Sequence, residues 1–172
     1  MKKIKIVPVL TVLIMLVTTS LVYASPAASE NFAVPLSGAE EVPARDTNAR
    51  GVATFNLSED GTELSYKLIV ANIENVVFSH IHLGPAGVNG PVVVFLFEGG
   101  TPGGGRTDGV LAEGTITAAD LTGPLAGHPL SDLIAAMESG GAYVNVHTND
   151  GLEPPNTGPG DFPGGEIRGQ VK

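Results

Sequence analysis

Glycine and proline interrupt this chain too often for long helices to form. There are 23 glycines and 13 prolines. Between their clusters lie apolar segments of about six to nine residues, a length that suits β-strands. "NFAVPL" comes first, followed by the polar loop "SGAEEVPARDTNAR". "GVATFNLS" and "ELSYKLIVA" flank the turn "EDGT" and read as a β-hairpin. In the second of these, Leu64, Tyr66, Leu68 and Val70 alternate with Glu63, Ser65 and Lys67. That period of two is the signature of a strand with one buried face.

"VVFSHIHL" and "PVVVFLF" follow, joined by "GPAGVNG". The second is apolar on both faces, which predicts a central position in the sheet. After the Gly-rich loop "GGTPGGGRTDG", "VLAEGTI" resumes the sheet. "AYVNVHT" and "GEIRGQV" complete it on either side of the loop "NDGLEPPNTGPGDFPG". "NFAVPL" and "GEIRGQV" read as edge strands, able to pair with each other or with another chain.

One segment has helical spacing. In "HPLSDLIAAMESGG", Ser131 is the expected N-cap and Asp132 falls in the first turn. Leu133, Ile134 and Met137 share a face, and Gly140 or Gly141 ends the helix, placing it near residues 131–139. The expected fold class is all-β: an antiparallel sandwich or barrel of about eight strands with one short helix.

The N-terminus reads as an address rather than as part of the fold. Lys2, Lys3 and Lys5 precede an apolar run from Ile6 to Val22, and Val22-Tyr23-Ala24 has the small-residue pattern of a cleavage site. Residues 1–24 are thus expected to be a signal peptide, with 25–172 as the mature domain. An uncleaved anchor would look similar, because the run approaches the lower length limit for a span. Cleavage would leave no membrane-inserted segment and a protein that is extracellular, on the cell surface or periplasmic.

The signal removes three of nine basic residues and none of eighteen acidic ones, so the mature net charge is −12. Such a surface repels nucleic acid and anionic lipid, and excludes nucleic-acid binding as a role. Cysteine is absent. Stability must come from packing, strand pairing or a metal rather than from disulfides.

The chain has four histidines, and two of them stand one residue apart in "SHIHLG". Alternate side chains of a strand share a face, so His80 and His82 point the same way, about 6.5–7 Å apart at Cα. Ile81 points to the other face. In "YVNVHT", Val144 and Val146 should face the core, which puts His147 on the outer side with Tyr143 and Asn145. If the two strands lie close together, three imidazoles converge, a donor set that suits Cu(II) or Zn(II), with copper favoured at equal availability. The alternative is that the three are ordinary polar residues holding loops by hydrogen bonds.

Tyr143, Asn145, Glu166 and Arg168 are candidates for the surrounding shell. Glu166 could add a fourth ligand, or pair with Arg168 on the same strand face, and the pairing is the stronger expectation. His128 precedes the helix and reads as a loop or capping residue. The loop with Asp150, Glu153 and Asp161 lacks EF-hand spacing and reads as solvated. The Gly-rich loop lacks the lysine and helix of a nucleotide site, and the serines lack the context of a nucleophile. No catalytic residue is assigned.

The successive blocks "FAVPLSGAEEVPA", "GVATFNLSEDGTELSYKLIVANIENVVFSHIHLGPAGVNGPVVVFLF", "GTITAADLTGPL", "AYVNVHT" and "GGEIRGQV" resemble the CHRD domain, named from chordin. The resemblance runs from about Phe32 to Val171. It implies an extracellular β-barrel-like module, and it names no general activity. His80, His82 and His147 also resemble the copper-binding strands of Cu/Zn superoxide dismutase. Nothing here matches that family's bridging histidine or zinc loop, and there is no cysteine for its disulfide.

Three functional readings follow. One is a secreted binding module holding one copper or zinc ion. Another is a metal-free adhesive or matrix domain with an extracellular protein partner. The last is a copper oxidoreductase acting on superoxide, which the negative charge disfavours.

Overall fold

Strict alternation governs the first strand, β1 (Asn31–Ser37): Phe32, Val34 and Leu36 are buried while Asn31, Ala33 and Pro35 are exposed. In the computed structural model, which describes residues 31–172, the same logic recurs through the chain. It builds β2 (Arg50–Leu57), β3 (Leu64–Glu74), β4 (Val76–Leu83), β5 (Val92–Phe97), β6 (Arg106–Ile116), β7 (Ala142–Thr148) and β8 (Ile167–Gln170). All pairings are antiparallel, and the strand order is β5-β4-β7-β8-β1-β2-β3-β6.

Each half of that order is a tightly paired set of four strands. The halves join through β1 and β8 at the single pair Ser37↔Arg168. On the opposite side the sheet curls until β5 approaches β6, and the Tyr66 hydroxyl of β3 donates to the Leu96 carbonyl of β5 at 2.8 Å. The result is a nearly closed eight-stranded barrel. Its interior is filled from both halves, by Phe55, Leu64, Leu68 and Ile73 on one side and Ile81, Val144, Val146 and Ile167 on the other. Asn75 makes the corner between β3 and β4 in a left-handed conformation (φ 54°). Its backbone and amide groups bond to Gly105, Asn149 and Gly160, which leaves none of its polar groups idle.

Three sequence-based expectations need correction. β1 and β8 pair with each other inside the sheet, so they are not edges. The edges are β5 and β6. β5 is apolar on both faces not because it is central, but because Val93, Val94 and Leu96 fill the barrel while Phe95 faces outward beside β4. The loop after β6 covers this edge, with Thr122 donating its amide to the Val93 carbonyl.

The helix α1 spans Leu130–Glu138 with Pro129 at the N-cap, so Ser131 lies inside it. Proline's fixed φ suits the entry to a helix, and no side-chain cap is formed. Leu130, Leu133, Ile134 and Met137 are its buried face. The proposed signal segment lies outside the described residues. Among the described residues, no helix is long and apolar enough to cross a membrane.

Candidate metal centre

β4 and β7 are adjacent, in a register that pairs Phe78↔His147, His80↔Asn145 and His82↔Tyr143. Opposed residues of an antiparallel pair share a face. These six side chains therefore occupy one outer wall of the barrel, while Ser79, Ile81, Val144 and Val146 point inward. The three imidazoles come together as the sequence spacing predicts. One ring nitrogen from each of His80, His82 and His147 lies within 4.8 Å of the others. Bonds of about 2 Å to a shared ion would hold donor atoms no more than about 4 Å apart, so ligation requires a closure of under about 1 Å.

Although outside the core, this wall is largely dry. His80 and His82 are each only 7% exposed, and His147 is partly buried. Phe95 meets the His80 ring edge-on at 4.7 Å, and Phe78 stacks beside it at 5.8 Å. Tyr143 stacks on His82, with ring centroids 4.8 Å apart and planes 7° from parallel. The Arg168 guanidinium lies 3.4 Å from the centroid of the same tyrosine ring.

Backbone carbonyls fix the tautomers. His82 Nδ1 donates to the Gly90 carbonyl at 2.9 Å, and His147 Nδ1 donates to the Pro163 carbonyl at 2.8 Å. A carbonyl can only accept, so both Nε2 atoms carry lone pairs in the neutral rings. His80 Nδ1 then donates to His147 Nε2 at 3.1 Å, which leaves His80 Nε2 as an acceptor. His80 Nε2 and His82 Nε2 are buried and have no hydrogen-bond partner, as is Asn145 Oδ1. In His80 and His82 one nitrogen is anchored while the other waits, the arrangement of ligating histidines, whereas His147 would exchange its bond from His80 for the ion.

The rings are neutral at ordinary pH. Burial depresses the pKa of His80 to about 3, with His147 and His82 adding to the effect. Burial also lowers His82, reinforced by Arg168, and it lowers His147 despite the opposing bond to Pro163. Neutral imidazole is the form that binds metal.

Loops complete the wall. Arg168, 1% exposed, donates to the Asn89 side chain and to the Pro85 and Val88 carbonyls, pinning the 85–90 loop against β8. The amide of Gly90 donates to the Tyr143 hydroxyl while its carbonyl receives His82. Only glycine fits there, because a Cβ would run into the Leu83 carbonyl. Glu41, 5% exposed, is a second buried group with an unpartnered oxygen. Burial raises its pKa to about 7 against the pull of Arg168. Its carboxylate lies against Gly165, where φ is +120° and a Cβ would collide with it.

Glu166 is not part of this cluster, and it does not pair with Arg168. Its carboxylate accepts from the Thr47 and Thr148 hydroxyls at 2.6 and 2.7 Å and from the Gly160 amide at 2.9 Å. Glu166 lies in a bend just before β8 and outside it, so the alternation of that strand does not reach it. His128 bonds Asp132 at 2.7 Å at the start of α1, as a residue of the helix entry. Asp150 and Asp161 close local turns, accepting from Leu152 and Thr157. Among the described residues, the three histidines form the only cluster of His, Cys, Asp or Glu able to hold a metal. Sequence reasoning missed Phe78, Phe95, Gly90, Pro163 and Glu41. Phe78 was recoverable, since it stands two residues before His80 on the same strand.

The family model of the CHRD domain matches residues 32–171. The chain belongs to the CHRD-domain family. Neither a curated protein nor a solved structure matches it. Three of the chain's four histidines, His80, His82 and His147, lie on β4 and β7, both well inside the matched range.

Proposed function

We propose that this CHRD domain is a secreted binding module that holds one Cu(II) or Zn(II) ion through His80, His82 and His147. Residues 1–24 would serve as the export signal and 25–172 as the mature domain, working outside the cell membrane. One observation carries the reading: three imidazoles converge, two of them anchored through Nδ1 to backbone carbonyls, and the buried Nε2 atoms of His80 and His82 have no hydrogen-bond partner. Leaving such atoms unpaired costs about 1–3 kcal/mol each, a cost that an ion removes. Asn145 Oδ1 would accept a hydrogen bond from a metal-bound water, and Tyr143 and Arg168 hold the His82 ring and its loop in place.

Holding is favoured over catalysis. A superoxide-handling site needs a free cation to draw in its anionic substrate. Arg168 is buried and its donors are already taken by loop oxygens. A metal-free adhesive role draws on a different surface, the exposed row Val52, Ile69 and Val110 on β2, β3 and β6. Calorimetric titration of the purified protein with Cu(II) and with Zn(II) at pH 7.5 separates these readings. One ion per chain in the parent and none in His82→Ala is expected. No heat with either ion would remove the metal reading and leave the adhesive one.

A further inference from the structure

The donor set carries no charge of its own. The cluster contains three imidazoles and, among the described residues, no carboxylate; the chain has no cysteine. An ion bound there keeps its whole charge inside a wall that is closed to water on most sides. The cost of removing an ion from water rises with the square of its charge, so a divalent ion pays about four times what a monovalent one does.

The fixed charge that acts on His82, that of Arg168, makes this worse for a divalent ion. Arg168 lies over Tyr143, which stacks on His82, and its hydrogen bonds go to neutral oxygens of Asn89, Pro85, Val88 and Gln170. Among the described residues no carboxylate makes an ion pair with it, and Glu41, the acid that feels its field, is itself buried. A positive background repels a doubly charged ion more strongly than a singly charged one.

The lining is also soft. Phe95 and Phe78 cover His80 with polarisable apolar rings, and they are the outermost side chains of the site, 44% and 41% exposed. A hard ion that wants water or carboxylate in a fourth position gains nothing from that cover. Imidazole suits copper, and a monovalent ion complete with three nitrogens, needing no fourth ligand, loses nothing to that cover.

Resting on the metal reading above, we infer that the site is matched to copper in its reduced state, Cu(I), in preference to Zn(II) or Cu(II). The protein then acts as a carrier for monovalent copper outside the cell membrane, with Phe78 and Phe95 shielding the ion from water and oxidants.

The test is competition in an anaerobic solution. The purified protein is titrated against a chromogenic Cu(I) chelator, with ascorbate as reductant, and separately against a chromogenic Zn(II) chelator. The dissociation constant for Cu(I) should be smaller than that for Zn(II) on the order of a thousandfold. Phe95→Asp places a carboxylate beside His80 and should narrow that ratio by about tenfold or more. Phe78→Glu repeats the test from the neighbouring strand should the first variant fail to fold. Zn(II) bound as tightly as Cu(I) in the parent, or a ratio unmoved by the added carboxylate, overturns this inference and leaves the metal site standing. If neither ion binds, the underlying site fails as well.

Discussion

On the wall formed by β2, β3 and β6, Val52, Ile69 and Val110 stand side by side in register, each about half exposed. Beside them Lys67 and Glu113 make a simple surface ion pair at 3.0 Å. On the wall formed by β4 and β7, the comparable outward positions hold His80, His82, His147, Tyr143 and Asn145, and the loops at 85–90, 41–45 and 161–165 fold over or beside them. The first wall is apolar yet bare. The second is polar yet covered, and it retains unpartnered nitrogen and oxygen atoms beneath the cover. Stability alone would favour the reverse, since buried polar groups need partners. Covering polar side chains with three segments of chain makes sense where those side chains have a task that needs a dry, fixed geometry.

The largest effect expected from this contrast is on stability. Arg168→Met removes the post that holds the 85–90 loop, taking the guanidinium donor from the Val88 carbonyl and leaving the Pro85 carbonyl only the Val88 amide. It should lower unfolding free energy by about 3–4 kcal/mol. Val52→Ala on the bare wall should change it by less than about 1 kcal/mol. Urea midpoints of the two variants decide whether the walls differ as described.

Next comes pH. The Glu41 pKa is raised from 4.5 to about 7 in the folded protein. Its contribution to stability is fully present below pH 4.5 and is lost as pH rises through 7, a loss of about 3 kcal/mol. The histidines act in the opposite sense. Their folded pKa values are depressed, so their contribution is present above pH 6.5 and lost as pH falls, for His80 down to about 3. Glu41→Gln should match the parent near pH 4.5 and exceed it by up to about 3 kcal/mol at pH 8. Chemical denaturation across that range measures the difference. A Gln variant that tracks the parent at every pH would show that Glu41 is not held in its acid form.

Metal addition comes third. Zn(II) at 100 times its dissociation constant should add about 2.7 kcal/mol to the parent and nothing to His147→Ala. A surface change on the other wall, Ile69→Thr, should leave the increment intact. The smallest effect belongs to the exposed ion pair: Lys67→Ala should cost less than about 1 kcal/mol, and less still in high salt.

Much of this was legible in the sequence, for reasons that also explain what was not. The β2–β3 hairpin declared itself through "EDGT", where Asp60 now accepts from Ser58 and Thr62. The histidine face followed from period two, which β4 and β7 obey. Parity failed at Glu166, because that residue sits in the bend before β8 rather than in the strand. The apolar look of β5 misled, because two different surfaces can clothe an edge strand when a barrel lies on one side and an aromatic cover on the other. Contacts such as Asn89 with Val42 or Arg45 with Gly165 join loops far apart in sequence. No periodicity encodes such contacts, so the cover over the site became visible only once the chain was folded.

The central claim is that three imidazoles share one ion on the outer wall of β4 and β7. Metal-edge X-ray absorption on the loaded protein tests it most directly. The account predicts the scattering pattern of three imidazole rings, with metal–nitrogen distances of about 2.0 Å, reduced by one ring in His82→Ala. A spectrum of oxygen ligands without imidazole scattering, or one unchanged by that substitution, would contradict it.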